Sequence, residues 1–294
     1  MRSIIALIRF VVYSNIFVAI CSVALTHLTY LLLHLPKTNN APVLLFVFCT
    51  TYFTYNIQRI VRLNYQELIG KNIGIRLGWM VRNRLYLLTS SLLALLVSGG
   101  CLFYIKPTNL LLLIPLGFLS IIYIIPCIPY KGKILPLRKL PYVKIFLIVT
   151  VWTLATVLFP FVNEYGFHNL GDINFQLVLV GRAIFIFAIT LPFDIRDLKL
   201  DKVRKIATIP STIGKVATII LSETLLIIYA GIIYWQCFEL DLLTQNQFTS
   251  FMYTITISMI IISLAIRRRP ELYFSFLIEG TMIILHFGIL VLEY

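Results

Sequence analysis

The segment Leu191 to Asp201 reads LPFDIRDLKLD and brings three aspartates together where a long apolar run, Phe175 to Pro192, gives way to a basic stretch. On a helix with 3.6 residues per turn, Asp194, Asp197 and Asp201 stand at i, i+3 and i+7, within roughly 60° of one face. Carboxylates this close repel one another unless a cation lies between them, and hard oxygen ligands suit Mg²⁺, the ion that commonly holds diphosphates. The spacing therefore indicates a magnesium site at a helix end.

The same segment can also be interpreted as a solvated charge run. Arg196, Lys199 and Lys202 are interleaved with the acids, and short motifs of this kind occur by chance. Both interpretations stay open at this point.

The composition predicts an integral membrane protein. Of the 294 residues 60% are hydrophobic and only 13% are charged, and the mean hydropathy is +0.93, which a soluble domain would not tolerate on its surface. Nine stretches have the roughly 20 apolar residues needed to cross a bilayer. They run from Ile4 to Leu33, Pro42 to Leu63, Leu85 to Ile105, Leu110 to Cys127, Tyr142 to Val162, Phe175 to Asp194, Val216 to Trp235, Phe248 to Ile266 and Leu272 to Leu292. We expect an all-α, polytopic membrane protein with nine transmembrane helices, forming one domain over residues 1–294.

The positive charge follows the predicted topology. The N-terminus and the loops after the second, fourth, sixth and eighth segments contain 22 of the 25 Lys and Arg residues. By the positive-inside rule these loops and the N-terminus face the cytoplasm, which leaves the C-terminus outside, and we expect the membrane to be the cytoplasmic (inner) membrane. The net charge of +13 therefore indicates topology and contact with anionic lipids rather than binding to nucleic acid.

Other polar residues gather on the same predicted cytoplasmic side. Asn56 and Arg59 lie in the last turns of the second segment, and the proline-rich loop after the fourth segment contains Lys131. Arg59 could point into the bundle, and Lys131 could contact a phosphate or only satisfy the topology rule. Within the apolar segments five polar residues have no spacing partner, and each could be functional or a buried contact between helices. They are Asn15, Arg182, Glu223, Glu279 and His286.

Several stretches in order resemble the UbiA superfamily of intramembrane prenyltransferases. DxxDxxxD at Asp194, Asp197 and Asp201 is similar to the second acidic motif of that family. Two further stretches support the resemblance: YIIPCIPYKGK (Tyr123 to Lys133) resembles the Tyr/Pro segment of the family, and KIATIPSTIGK (Lys205 to Lys215) resembles its TLPxxLG stretch. The resemblance implies a helical bundle around a lateral cavity that opens to lipid.

The resemblance also implies an activity and roles for individual residues. The reaction would be Mg²⁺-assisted departure of diphosphate from an isoprenyl diphosphate, followed by capture of the allylic cation by a hydrophobic acceptor. Asp194, Asp197 and Asp201 would hold the metal, and Tyr123 would act as the catalytic residue that lines the cavity near the diphosphate.

The substrate-binding residues that the resemblance implies are Asn56, Arg59, Lys71 and Lys131. The sequence departs from the family at the first acidic motif, NDxxDxxxD, whose positions fall on Asn56, Ile57, Ile60 and Asn64, so its three carboxylates are missing. The basic residue that follows could survive as Lys71, without the surrounding RPxxxG signature. Arg59 could replace the missing metal as a fixed cation for the diphosphate.

Two hypotheses of different classes result. The first is a membrane prenyltransferase that acts on an isoprenyl diphosphate and an aromatic, quinone-precursor or lipid acceptor, with an isoprenoid cyclase as a variant. The second is a catalytically degenerate relative that binds prenyl lipids or serves as a membrane partner.

Overall fold

The structure is a computed structural model that describes residues 2–36, 40–67, 75–130, 132–203 and 206–293. The described residues are almost entirely helical, with one small hairpin. The helices are α1 Arg2–Tyr13, α2 Ile16–Leu32, α3 Asn40–Glu67, α4 Ile75–Arg82, α5 Arg84–Cys101, α6 Leu110–Ile122, α7 Val143–Thr153, α8 Phe159–Tyr165, α9 Ile173–Val203, α10 Ile209–Ile213, α11 Lys215–Phe238, α12 Gln245–Leu264 and α13 Glu279–Glu293. The strands are β1 Ile128–Tyr130 and β2 Lys133–Leu135.

Shorter helical pieces continue some of these elements. A π-helical turn at Leu154–Leu158 joins α7 to α8, and a second one at Tyr273–Ile278 leads into α13. Three single 3₁₀ turns lie at Leu102–Tyr104, Pro107–Asn109 and Leu137–Lys139. The all-α class is therefore confirmed.

The predicted count of nine transmembrane helices is not confirmed. Among the described residues six helices are long and apolar enough to cross a membrane, or up to seven if α1 and α2 together form one span. Helix α3 is not among the six, and the apolar helix Pro107–Ile122 is shorter than a span requires. The chain is nevertheless a multi-pass membrane protein, because several helices meet both criteria.

The first apolar segment is not one helix, as the sequence predicts, but two. Helices α1 and α2 meet at 72°, and Asn15 at the corner has a φ of 65°. Asparagine tolerates this left-handed conformation better than most residues because its short side chain can hydrogen-bond locally. An apolar pattern continues across such a corner unchanged, so the sequence gives little sign of it.

The described chain divides into two compact units. The first contains residues 1–23 and 38–107, and the second contains residues 24–37 and 108–294. The boundary falls within α2. The assignment of residues 1–294 to one domain stays a prediction.

In the first unit α3 packs against α5. Buried Cys49 and Tyr52 of α3 meet Ala94 of α5 and Ala19 of α2. The small side chains at 19, 49 and 94 allow close approach of the helices, as is typical of helix packing in membranes.

In the second unit α9 is the central element, with α7 and α11 packed against it. Pro192 within α9 has no N–H to donate to the carbonyl of Ala188 four residues earlier. Ser222 of α11 donates its hydroxyl to that carbonyl at 2.6 Å. The bond satisfies a polar group that would otherwise be exposed to the apolar interior, and it fixes α11 against α9 just before Asp194.

Candidate functional site

The three predicted aspartates lie on the last turns of α9, which continues as one helix to Val203. This confirms the helical spacing that the sequence indicates. At about 1.5 Å per residue the 31 residues of α9 span roughly 46 Å, longer than the ~30 Å hydrocarbon core. The aspartates therefore occupy the part of α9 that exceeds the apolar length. Asp194 is 2% exposed and Asp201 is 8% exposed.

A lysine from a different helix lies between two of these acids. Lys144 is the second residue of α7, and its Nζ donates to Asp194 Oδ1 at 2.7 Å. The same nitrogen lies 3.8 Å from Asp197 Oδ2. The carboxylates of Asp194 and Asp197 therefore converge on one position, and the ammonium group of Lys144 fills it.

The beginning of α7 is held in place by the segment that follows α9. The backbone N–H of Tyr142 donates to the carbonyl of Ala207 at 3.1 Å, and the Tyr142 and Thr212 hydroxyls are 2.8 Å apart. Thr208 and Ser211 form a capping box that begins α10. The stretch that resembles the TLPxxLG motif therefore positions the backbone two residues before Lys144.

Asp197 has a second cation next to it. Arg196 donates from Nε to Asp197 Oδ1 at 2.8 Å and from Nη2 to Oδ2 at 3.1 Å. Its guanidinium lies over the rings of Phe193 and Phe274, 5.1 and 5.6 Å from their centroids. Two hydrogen bonds and two ring contacts hold the guanidinium, as its planar shape favours. The interpretation of this segment as a wholly solvated charge run does not fit a buried Asp194 and a stacked Arg196.

Tyr123 belongs to the same cluster. It is the buried residue that follows α6, and it interacts electrostatically with Lys144. Its carbonyl accepts a hydrogen bond from the N–H of Arg138 at 3.5 Å. Asp194 and Asp197 therefore lie against Lys144, and Tyr123 lies within electrostatic range of the same lysine.

The donor set suits Mg²⁺ in part. No group of three or more His, Cys, Asp or Glu side chains among the described residues is arranged to hold a metal ion, so Asp201 does not join the other two aspartates as a ligand group. Mg²⁺ often binds through one or two carboxylates, with water and substrate phosphate completing the shell. Asp194 and Asp197 meet that requirement, with the Lys144 ammonium at the position that a cation would take.

Asn56, in the first unit, has a different environment from the one expected. Its Nδ2 donates to the carbonyls of Ser14 and Tyr52, both at 3.1 Å. Its Oδ1 accepts from Asn15 Nδ2 at 2.7 Å. Both amide hydrogens and the oxygen therefore have protein partners, so the geometry favours a role in holding the α1–α2 corner. Its assignment to substrate binding stays a prediction.

Arg76 is a buried cation that the sequence analysis did not single out. It is 3% exposed, and its Nη2 donates to the carbonyl of Val12 and to Asn15 Oδ1, both at 2.9 Å. It therefore binds the end of α1 and the corner residue together. Arg59, the cation proposed from sequence, is half-buried on α3. Lys71 and Lys131 lie outside the described residues.

Two intramembrane residues that have no spacing partner in the sequence have partners in the second unit. Arg182 is 2% exposed and donates to the carbonyl of Leu25 at 2.7 Å. His286 Nε2 lies 2.7 Å from His27 Nδ1. The partners in these two contacts are 157 and 259 residues apart in sequence. Such contacts leave no local pattern in the sequence, so hydrophobic periodicity could not predict them.

These features define the class of the protein. It is an all-helical, multi-pass membrane protein with a charged cluster at the end of its central helix. No protein-family model matches the sequence, and no curated protein matches it. Among solved structures the chain is similar to a UbiA homolog from Archaeoglobus fulgidus bound to GPP and Mg²⁺, with 12% identity and a TM-score of 0.64 over 96% of this chain and 99% of that one. The same homolog bound to DMAPP and Mg²⁺ matches with 11% identity and a TM-score of 0.61 over the same shares. The chain therefore has the fold of these UbiA homologs, which confirms the resemblance at the level of fold.

Proposed function

We propose that this chain is a UbiA-type prenyltransferase that binds an isoprenyl diphosphate and transfers the isoprenyl group to a hydrophobic acceptor. The observation that carries the proposal is the convergence of Asp194 and Asp197 on one cation position, close to Tyr123, in a chain with the fold of the UbiA homologs. Those homologs bind GPP or DMAPP with Mg²⁺. The acceptor would be an aromatic compound, a quinone precursor or a lipid.

In this reaction the bond between the allylic carbon and the diphosphate oxygen breaks, and its electron pair leaves with the diphosphate. The acceptor then forms a bond to that carbon and loses a proton. Mg²⁺, held by Asp194 and Asp197, would neutralise the charge of the leaving diphosphate. Lys144 would place a second positive charge beside the diphosphate, and Tyr123 would shield the allylic carbon from water.

The residues predicted to contact the substrate are part of the same proposal. Arg59, Lys71 and Lys131 would bind diphosphate oxygens. Asp201, predicted as a third metal ligand, would act on the metal only from outside the pair formed by Asp194 and Asp197. The predicted orientation, with the N-terminus in the cytoplasm and the C-terminus outside, would place the cluster of α9 at the cytoplasmic face.

An open, apolar groove of about 330 Å³ lies on a neighbouring face of α7. Val143, Phe146, Leu147 and Thr150 line it at i, i+3, i+4 and i+7. Its volume lies at the lower end of ligand pockets. Phe146 in its wall is 54% exposed, so the groove is a shallow feature of the surface of α7.

The experiment is diphosphate release by purified protein with geranylgeranyl or longer isoprenyl diphosphates and a mixture of aromatic, quinone-precursor and lipid acceptors, with and without Mg²⁺. Wild type should release diphosphate only with the metal, and Asp194→Asn should lose at least 100-fold of that activity. Asp172→Asn is the matched control, because Asp172 caps the opposite end of α9 through the N–H of Phe175 at 2.8 Å and asparagine caps equally well. Absence of release from folded wild type with every isoprenyl diphosphate would refute the transferase.

The absence of carboxylates at the positions of the first acidic motif favours a second function. Its position Asn56 has no carboxylate, and its amide is fully hydrogen-bonded within the protein. With that half of the metal site absent, the chain could bind prenyl lipids without catalysis. This alternative predicts isoprenoid lipid that co-purifies with the protein, detectable by mass spectrometry, in an amount that does not depend on Mg²⁺. Metal-dependent release of diphosphate would refute this binding-only function. It would not by itself distinguish a transferase from an isoprenoid cyclase, which needs no acceptor.

A further inference from the structure

The charges around Asp194 and Asp197 are already balanced within the protein. Lys144 lies 2.7 Å from one carboxylate and Arg196 lies 2.8 Å from the other. These two acids and two cations together carry zero net charge, and Glu271 and Glu279 are also in electrostatic range of Arg196. A divalent cation added to this cluster alone would meet two positive groups at short range, which is unfavourable in a partly buried place.

The two resident cations differ in how firmly they are held. Arg196 has two hydrogen bonds to Asp197 and lies over two aromatic rings. Among the described residues, Lys144 has a single hydrogen bond, to Asp194. The two side chains are similarly exposed, 23% for Lys144 and 27% for Arg196, so the difference lies in their contacts. Lysine also has a flexible four-carbon stem. Lys144 is therefore the cation that can move.

Movement of Lys144 needs a new anionic partner. Asp194 has a side-chain exposure of only 3%, so its carboxylate needs a cation. A metal ion held by both Asp194 and Asp197 would displace the ammonium from both carboxylates and leave it unpaired unless another anion binds it. A divalent cation compensates the carboxylate only. A diphosphate bound beside it compensates the ammonium, because its oxygens are strong acceptors for Lys.

We infer that Lys144 is a resident cation that occupies the metal position and couples metal binding to diphosphate binding. In the empty protein its ammonium group excludes divalent cations from Asp194 and Asp197. When metal and diphosphate arrive together, Lys144 leaves Asp194 and binds the diphosphate. This inference rests on the proposed function, since it assigns a role to a residue of the same site.

The coupling has a measurable size. Typical coupling between two ligands is about 5- to 150-fold in affinity, and it must be reciprocal. We expect diphosphate to raise the affinity of wild type for a divalent cation by about 10- to 100-fold. The substitution Lys144→Met, which keeps the stem and removes the charge, should raise metal affinity without diphosphate by a similar factor and should abolish the coupling.

The test measures Mn²⁺ binding by equilibrium dialysis of purified protein in detergent, with and without inorganic diphosphate in both chambers. The excess of total Mn²⁺ in the protein chamber over that in the other chamber measures binding to the protein. Complexes of Mn²⁺ with free diphosphate form equally in both chambers and do not contribute to this difference. Wild type, Lys144→Met and Lys144→Arg are compared, with Lys106→Met as the control because Lys106 is an exposed lysine outside the stretches that form the site. Elution as a single peak in size-exclusion chromatography verifies folding.

The expected pattern is Mn²⁺ binding that needs diphosphate in wild type, in Lys106→Met and in Lys144→Arg, which keeps the charge, but not in Lys144→Met. If wild type binds Mn²⁺ equally well without diphosphate, the inference is wrong and the proposed function stands. If wild type and Lys144→Met both bind no Mn²⁺ under any condition, the inference and the metal-dependent function fail together. Should Lys144→Met not fold, wild type and Lys144→Arg decide the matter, because each must show the diphosphate requirement.

Discussion

The ion pair between Lys144 and Asp194 provides a prediction about stability whose size can be worked out from exposure. The Asp194 side chain is 3% exposed, whereas that of Lys144 is 23% exposed and has a second carboxylate, Asp197, at 3.8 Å. Removal of the lysine leaves a buried carboxylate with no counter-charge. Removal of the aspartate leaves an ammonium that can still reach Asp197 or water. The two single substitutions should therefore have unequal costs.

Lys144→Met should lower the free energy of unfolding by about 3–5 kcal/mol, the usual cost of an uncompensated buried charge. Asp194→Asn should lower it by about 1–2 kcal/mol, because the amide oxygen can still accept from Lys144. The double substitution Lys144→Met with Asp194→Asn should recover most of the loss, since it removes both charges. The coupling between the two positions should therefore be about 2 kcal/mol or more.

The assay is reversible unfolding in mixed micelles at increasing SDS fraction, in metal-free buffer with EDTA, followed by tryptophan fluorescence. EDTA matters because a divalent cation could replace the missing ammonium in Lys144→Met. If Asp194→Asn costs as much as Lys144→Met, or more, the assignment of Asp194 as the buried member of the pair is wrong. Additive effects in the double variant would show that the two groups do not interact in solution.

Three further predictions use the same unfolding measurement. Ser222→Ala should cost about 1 kcal/mol by leaving the Ala188 carbonyl without its donor, and the cost should disappear in a Pro192→Ala background, where the restored N–H can reach that carbonyl; an undiminished cost would contradict this explanation. Asn56→Ala and Asn56→Asp should each cost about 2–3 kcal/mol, because neither side chain donates to the two carbonyls that the amide binds, and a neutral Asn56→Asp would favour the predicted substrate role instead. Arg196→Lys should cost about 1–2 kcal/mol by losing the two-point bond and the ring contacts, and an unchanged stability would mean that the guanidinium geometry is unimportant.

Much of the fold is accessible from the sequence, because apolar length and charge placement are local properties. Each of the nine predicted apolar segments contains at least one helix, and the α9 spacing of the aspartates is confirmed. The errors occur where a local pattern carries no information. The corner at Asn15 depends on backbone conformation rather than on apolarity, and α6 ends at Ile122, whereas the predicted apolar stretch runs to Cys127.

Only part of the candidate site can be predicted from the sequence. The acids share one helix, so their spacing shows in the sequence, but their counter-ion does not. Lys144 is 50 residues away and is one of several basic residues that the topology rule explains equally well. Arg76 was missed for the same reason, since its partner Asn15 is 61 residues away. A buried cation between helices becomes visible only when the helices are placed.

The balance of charge at the end of α9 also bears on how the diphosphate assay can be interpreted. A cluster of bare acids would need a metal ion to fold without repulsion, so loss of activity on Asp substitution could reflect loss of fold. Here Lys144 and Arg196 already neutralise Asp194 and Asp197, so folding and metal binding are separable. A folded Asp194→Asn protein that releases no diphosphate would therefore show the loss of a ligand. For the same reason, a protein that binds prenyl lipids without catalysis could keep both aspartates for structural reasons alone. Metal-dependent release of diphosphate, and not the presence of the aspartate motif, therefore decides between prenyl transfer and binding without catalysis.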